Sequence, residues 1–515
     1  MPESQIDPQL SAAAACLTVA GLFRFQARYH GGRVALEDGE RCYSYAQLNE
    51  RVDRLAGALA TRGVGRGDRV AVLSENRAEY LELQLACAVL GAVVAALNWR
   101  LSPPELEHCI ALTRPELLVA SPRYRETLAA LDHGVPDVLV LGGDYEALLA
   151  AGTGAQPDAA AAEDGLIILY TSGTTGMPKG ALISHRAMIA RAEVSALDHG
   201  IDRDDAFVAW APLFHMASTD AALGTLMRGG RVIVHDGLDT ARLVEAVGST
   251  RVGWLVLMPG MVEGFNRAMR ETGTRAAGVK TAGCMADLIP RHQIAEATRL
   301  LDAPFVDSFG STETGMAPAS AGLIPVGAVP ERLSKVQTSF CEIKLVDPDD
   351  REVPDGEPGE LAIRGPTLFS GYWGAPRVNA EDFRGGWFHM GDVFVRNAEG
   401  TLDFVDRRKY LIKSGGENIY PAEIERLLLA DQRIADAVVV RKADERWGEI
   451  PVAFVVRNDP TLAEADVTAV CEGRLARYKM PREVRFVEHE DLPRSTTGKI
   501  KRHEIERRLA RRDNR

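Results

Sequence analysis

No two of the seven cysteines form a Cys-x-x-Cys pair. Odd in number and scattered, they exclude a disulfide framework and a zinc ribbon, and read as reduced thiols of a cytoplasmic protein. Positive charge is not in excess: 60 Lys and Arg face 72 Asp and Glu, a net charge of −12. That excludes nucleic-acid binding as the main role. No apolar run reaches the length of a bilayer span, which argues against membrane insertion. Leu83 to Leu97 falls short and follows Glu79 and Glu82, so it reads as a buried helix running into a strand. Ser11 to Phe23 is apolar like the core of a secretion signal. Glu3 and Asp7 precede it without a lysine or arginine, the wrong sign for such a signal, so an amphipathic helix is expected. Internal repeats are lacking, and the only biased tract is the Ala-rich loop 150–163.

What is present is ordinary globular material: 515 residues, 46% hydrophobic and 26% charged. The length suggests roughly two to four domains. Short apolar runs alternate with helical patterns. Strands are expected at Arg33 to Glu37, Cys42 to Tyr45, Arg69 to Leu73, Leu117 to Ala120, Val138 to Leu141, Leu166 to Tyr170, Arg231 to His235, Trp254 to Met258 and Gly278 to Cys284. Such alternation implies an α/β fold, with layered and largely parallel sheets. From about Cys341 short strands and tight turns such as Val353-Pro354-Asp355-Gly356 take over, implying a small β subdomain. A charged knot, Asp406-Arg407-Arg408-Lys409, precedes a compact α+β pattern. The expected division is a large domain, 1–406, and a small mobile C-terminal domain, 407–515.

The most informative stretch is Tyr170-Thr171-Ser172-Gly173-Thr174-Thr175-Gly176-Met177-Pro178-Lys179-Gly180. The apolar run Gly165 to Leu169 feeds it, and a helical pattern starting near His185 follows. Strand, a loop of glycines and hydroxyls with one lysine, then helix, is the layout of a phosphate cradle. Glycines let backbone N–H groups turn toward an anion, hydroxyls add donors, and the lysine adds charge. It is not a Walker A loop, because Met177 and Pro178 separate Gly176 from Lys179 and Gly180 follows.

This loop resembles the signature of the adenylate-forming superfamily: acyl-CoA synthetases, nonribosomal adenylation domains and beetle luciferases. Further stretches match in order over nearly the whole chain. Ala211-Pro212-Leu213-Phe214-His215 resembles the segment whose histidine gates the acyl pocket. Asp307-Ser308-Phe309-Gly310-Ser311-Thr312-Glu313 resembles the Tyr-Gly-x-Thr-Glu motif, with Phe309 in place of the tyrosine. The resemblance implies that Phe309 stacks near adenine, Thr312 meets the α-phosphate and Glu313 helps hold Mg²⁺. Thr281-Ala282-Gly283-Cys284-Met285 takes the adenine-side position, with Cys284 and Met285 where the family has Ala and Pro. Asp392 and Arg407 correspond to the ribose-binding pair, and Lys409 to the hinge, followed by Tyr410 instead of an acidic residue. Ser414-Gly415-Gly416-Glu417 resembles the stretch beside the pantetheine arm of CoA. Ser495-Thr496-Thr497-Gly498-Lys499 resembles the motif of the catalytic lysine.

The resemblance therefore implies an ATP-, Mg²⁺- and CoA-dependent acid–thiol ligase, most like a fatty or aryl acid–CoA ligase. Its implied catalytic residues are Lys499, Glu313, His215 and Thr171. ATP would be bound by Thr171, Ser172, Gly173, Thr174, Thr175, Gly176, Lys179, Gly283, Cys284, Ser308, Phe309, Gly310, Thr312, Asp392, Arg407 and Lys499, and CoA by Gly415, Gly416 and Glu417. Amino-acid adenylation domains carry an aspartate at the place of His215, so an α-amino acid substrate is not expected. No carrier domain is fused: Leu141-Gly142-Gly143-Asp144 is followed by Tyr145, not serine. The alternative is a stand-alone enzyme that charges a separate carrier protein. Mostly apolar candidate pocket segments favour a fatty or aryl monocarboxylic acid. The oligomeric state, homodimer included, is open.

Overall fold

The computed structural model describes residues 14–152, 154, 156–171, 177–415, 417–494 and 500–513. Ser172, Gly173, Thr174, Thr175, Gly176, Gly416 and Lys499 lie outside the described residues. The described chain forms two compact units, one of residues up to 342 with 364–386, the other of 343–363 with 387 onward.

The first unit is built on two sheets. One has seven strands in the order Gly371–Tyr372, Lys179–Ser184, Gly165–Thr171, Val93–Ala96, Arg69–Leu73, Leu117–Ala120, Asp137–Val140. The last five are parallel. The other has eight: Leu323–Ile324, Phe305–Val306, Val279–Ala282, Val252–Leu255, Ala206–Ala209, Arg231–Val234, Val34–Asp38, Arg41–Ser44. Its inner six are parallel and its two outer strands antiparallel. Parallel strands covered on both faces must be apolar throughout, which is why Val93–Ala96 and Leu117–Ala120 are uninterrupted apolar runs, buried at every position. The helix Ala78–Leu90 packs on Val93–Ala96 and Gly165–Thr171 of one sheet and on Val34–Asp38 of the other. Being buried on all sides, it is mostly apolar. Its two buried acids are paired: Glu82 is met by Arg51 Nε at 2.5 Å and by the Tyr145 hydroxyl at 2.8 Å, and Glu79 by Arg41 Nη1 at 2.6 Å and Arg77 Nε at 3.1 Å.

The expected amphipathic helix is present among the described residues from Val19, where the Thr18 hydroxyl accepts the Gly21 amide, to His30. One feature was not expected: a strand separates the phosphate-type loop from the helix that follows it. Lys179–Ser184 is a strand, antiparallel to Gly165–Thr171, with Thr171 opposite Lys179. The run Ala181-Leu182-Ile183 buries Ala181 and Ile183 in the sheet instead of starting a helix. The helix His185–His199 begins where its pattern was expected to, capped by Ser184, whose hydroxyl accepts the Ala187 amide.

The second unit holds a four-stranded sheet, Glu342–Val346, Pro358–Arg364, Phe388–Arg396, Leu402–Arg407. Its five-stranded sheet runs Glu417–Ile419, Ile412–Ser414, Gly448–Arg457, Ile434–Asp444, with Glu483–Phe486 paired parallel to Gly448–Arg457. Ile412, Ile424, Val439 and Val455 centre the core on one face. Ile505 and Leu509 of the basic helix Arg502–Asp513 pack on Val438, Val440 and Val452 on the other. No helix among the described residues is long and apolar enough to cross a membrane.

Candidate active site

Ligands of open parallel sheets sit outside the carboxyl ends of the strands. In the eight-stranded sheet those ends carry Trp210 to His215, Val256 to Met258, Gly283 and Cys284, and Asp307 to Phe309. Each segment is tied to the next. Trp210 Nε1 donates to the Val256 carbonyl at 3.0 Å, and Trp254 Nε1 to the Gly283 carbonyl at 2.7 Å. The Ser308 amide donates to the Cys284 carbonyl at 3.2 Å. Gly283, Cys284, Ser308 and Phe309 are therefore brought together. Gly283 has φ +92, and a Cβ there would stand 2.3 Å from the Phe305 ring, so only glycine fits.

Phe309–Ser311 pairs antiparallel with Gly315–Ala319. Gly310 is required by this close pairing, since a Cβ would lie 2.0 Å from the Gly315 carbonyl oxygen. The turn beyond it presents Thr312 and Glu313. Glu313 Oε1 accepts the Tyr372 hydroxyl at 2.7 Å, and Lys179 Nζ stands 3.6 Å from the centroid of the same ring. One tyrosine thus joins Lys179, the first residue of its strand, to the acid of the Thr-Glu motif. The Thr312 carbonyl accepts from Arg191 Nη2 at 3.0 Å. Arg191 is buried, with Nε on the Thr367 carbonyl at 2.9 Å and Nη1 3.2 Å from Asp220 Oδ2. Burial pushes the Asp220 carboxyl up and the Arg191 guanidinium down, each opposed by the other's charge. His215 caps the helix Met216–Arg228, its Nδ1 accepting the Ala217 amide at 3.2 Å.

In the second unit Asp392 lies opposite Arg407 in the pair Phe388–Arg396 and Leu402–Arg407. Arg407 Nε is 3.0 Å from Oδ1 of the buried carboxylate. Lys409 occupies the single turn Arg408–Tyr410. Its ammonium is 5.0 Å from the Tyr410 ring centroid, and Arg502 stands 4.7 Å from that ring, so an aromatic replaces an acid here between two cations. The Gly415 amide donates to the Trp447 carbonyl at 2.7 Å, and Glu417 lies opposite Ser414. These residues belong to one unit, and Thr171, Lys179, Gly283, Cys284, Ser308, Phe309, Gly310, Thr312, Glu313 and His215 to the other.

Sequence reasoning missed three supports. Tyr372 is one; nothing in the local pattern sets it apart from its apolar neighbours Leu368, Phe369 and Trp373. Asn76 is another, just past the strand Arg69–Leu73. Its Nδ2 donates to the carbonyls of Ala209, Ala211 and His235, and its Oδ1 accepts the Leu213 amide at 2.8 Å, so one buried amide holds the His215 segment. The third is Lys335, fully buried, which pairs with Asp307 and, at 2.6 Å, with Asp287. Burial raises the Asp307 carboxyl to about 6 against the pull of Lys335. The clamp ties the segment after Gly283 to the one before Phe309 through a lysine from further along the chain. Lys179 and Glu313, each brought to Tyr372, are a cation and an acid on one ring, an arrangement suited to an anionic nucleotide.

Sequence comparison agrees. Residues 23–373 match the family model for the AMP-binding enzyme, and 423–499 that for the AMP-binding enzyme C-terminal domain. The chain belongs to this family of adenylate-forming enzymes. It is 36% identical over 492 residues to the feruloyl-CoA synthase of an Amycolatopsis species, covering 94% of this chain and 97% of that one. It is 36% identical over 494 residues to the indoleacetate–CoA ligase of Aromatoleum aromaticum, with 93% and 96% covered. Among solved structures, the o-succinylbenzoate CoA synthetase of Bacillus subtilis in complex with its acyl-adenylate intermediate superposes with a TM-score of 0.83, at 27% identity over 95% of this chain and 98% of that one.

Proposed function

We propose that this enzyme joins an apolar aryl carboxylic acid to CoA in two half-reactions. The acid first attacks the α-phosphorus of ATP, giving acyl-AMP and pyrophosphate. The CoA thiol then attacks the acyl carbonyl, and AMP leaves. A carboxylate needs this detour because oxide is a poor leaving group. The observation that carries the reading is the Lys179–Tyr372–Glu313 cluster, which brings a cation and a carboxylate of the two nucleotide motifs onto one ring. The relatives named above, acid–CoA ligases by name and similar over nearly their whole length, support it.

In the first half-reaction negative charge gathers at the α-phosphorus, so the protein's work is positioning and electrostatic stabilisation. Lys179 and the hydroxyls of Thr171 and Thr174 hold the phosphates. Phe309 covers the adenine, and Asp392 accepts from the ribose. Among the described residues no three His, Cys, Asp or Glu side chains group as a metal cage. A lone carboxylate completed by substrate phosphates is how Mg²⁺ is ordinarily bound, so Glu313 fits that ion. Bound there, Mg²⁺ would offset phosphate charge. His215 borders the acid pocket, and Gly415, Gly416 and Glu417 face the pantetheine arm. The region 407–515 acts as a lid turning about Lys409, carrying Lys499 to the phosphates for the first half-reaction and away for the second. Reduced thiols and dependence on ATP and CoA suit a cytoplasmic enzyme.

Single-turnover assays of each half-reaction test this. Lys499→Ala should slow adenylation by about 10²–10³-fold while still converting supplied acyl-AMP and CoA to thioester. Equal loss in both halves contradicts the two-state lid. Pyrophosphate release without any thioester on CoA points instead to a carrier protein as acceptor.

A further inference from the structure

Arg191, on the helix His185–His199, stands behind the acid of the Thr-Glu motif. Its guanidinium donates in three directions. Nη2 reaches the Thr312 carbonyl at 3.0 Å, one residue before Glu313. Nε reaches the Thr367 carbonyl at 2.9 Å, in the segment that supplies the other holds on Glu313. From that segment the Phe369 amide donates to the Glu313 carbonyl at 2.8 Å, and the Tyr372 hydroxyl to Oε1 at 2.7 Å. Nη1 faces its counter-ion, Asp220 Oδ2, at 3.2 Å. One side chain therefore spans the turn that presents Glu313 and the segment that orients it. The fit has no slack: Gly315, at φ +71, packs on the stem, and a Cβ there would come 2.8 Å from Arg191 Cγ.

We infer that Arg191 is a positioning residue for Glu313: on the ligase reading above, it fixes where the carboxylate meets Mg²⁺, and so sets how strongly the ion joins ATP to the enzyme. Tyr372 takes Oε1, and Oε2 accepts no hydrogen bond among the described residues, which leaves it for the ion. A buried cation is a costly way to fill space. A planar fork of fixed donors is what this task requires, whereas the donors of a lysine turn on a flexible stem. Groups that orient a metal ligand typically contribute about 10–100-fold to metal affinity or activity.

Equilibrium binding of ATP without acid or CoA, once in EDTA and once in saturating Mn²⁺, measures the factor by which the ion tightens the nucleotide. Arg191→Lys keeps the charge and loses the fork. It should leave the affinity in EDTA as in the wild type and lower the Mn²⁺ factor about 10-fold. The Mg²⁺ concentration for half-maximal pyrophosphate release should rise with it, and excess Mg²⁺ should restore the rate. Adding Arg191→Lys to Glu313→Gln should lower the factor no further than Glu313→Gln alone, because the two act as one. Asp220→Asn removes the counter-ion but neither carbonyl contact, so it should melt earlier and keep the wild-type factor. A wild-type factor of one, or a factor unchanged in Arg191→Lys, overturns the inference while leaving the ligase reading intact. So does an equal fall in Asp220→Asn. If Arg191→Lys does not fold, Gly315→Ala displaces the same guanidinium through its stem and is read in the same way. Absence of pyrophosphate from every acid offered to the wild-type enzyme removes the ligase reading and the inference with it.

Discussion

The Lys179 ammonium stands 3.6 Å from the centroid of the Tyr372 ring, on the same side chain whose hydroxyl donates to Glu313. Tyr372 comes from the edge strand Gly371–Tyr372, which pairs with Lys179–Ser184. Sheet pairing, not the loop, therefore sets the spacing of the two charged groups.

Removing the hydroxyl and removing the ring should consequently differ. Tyr372→Phe keeps the cation over an aromatic face but frees the Glu313 carboxylate. Tyr372→Leu loses both contacts. Adenylation should fall about 10-fold in the first and further in the second, each contact contributing about 1–2 kcal/mol. Pyrophosphate exchange measures it. Equal rates in wild type and both variants would mean that the ring is only packing.

Much of this was legible beforehand, for identifiable reasons. Parallel strands declare themselves as short apolar runs, so Arg69–Leu73 and Leu117–Ala120 could be read to the residue. The Thr312-Glu313 stretch and Asp392 could be picked out because they resemble motifs of the family in type and order. The strand Lys179–Ser184 was not legible, since Ala-Leu-Ile is as good a helix start as a strand and only pairing with Gly165–Thr171 decides. Nor was Lys335, whose partners Asp287 and Asp307 are contacts made by the fold, with no local pattern to betray them.

Lys335→Met should be severe. It leaves the buried Asp307 carboxylate without its cation, a change that typically costs about 3–5 kcal/mol. With the cation gone the Asp307 pKa rises above its present value of about 6. The deficit relative to wild type should therefore shrink as pH falls and the carboxyl protonates. Lys335→Met/Asp307→Asn should recover part of the loss at neutral pH. Urea unfolding at two pH values measures both; a deficit independent of pH would contradict the clamp.

His185 gives a second pH dependence, of opposite sign. Its Nδ1 accepts the Val19 amide at 3.1 Å, and burial lowers its pKa to about 4. Below the unfolded value near 6.5 the unfolded chain binds a proton that the native ring does not. Its stabilising contribution is thus full above pH 6.5 and falls as pH drops toward 4, by about 2 kcal/mol at pH 5. His185→Gln, which keeps an acceptor for Val19, should flatten the urea midpoint between pH 6.5 and 5. Parallel curves for the two proteins would mean that the histidine is not buried neutral.

The central claim is that the acid is activated through its own oxygen on the α-phosphorus of ATP. An aryl acid labelled with ¹⁸O in both carboxylate oxygens, incubated with ATP and CoA, tests it most directly by mass spectrometry of the nucleotide. The attacking oxygen stays on phosphorus when the thiol displaces AMP, so AMP carrying one ¹⁸O is expected, with unlabelled pyrophosphate. Unlabelled AMP, or ADP with the label in inorganic phosphate, would contradict it.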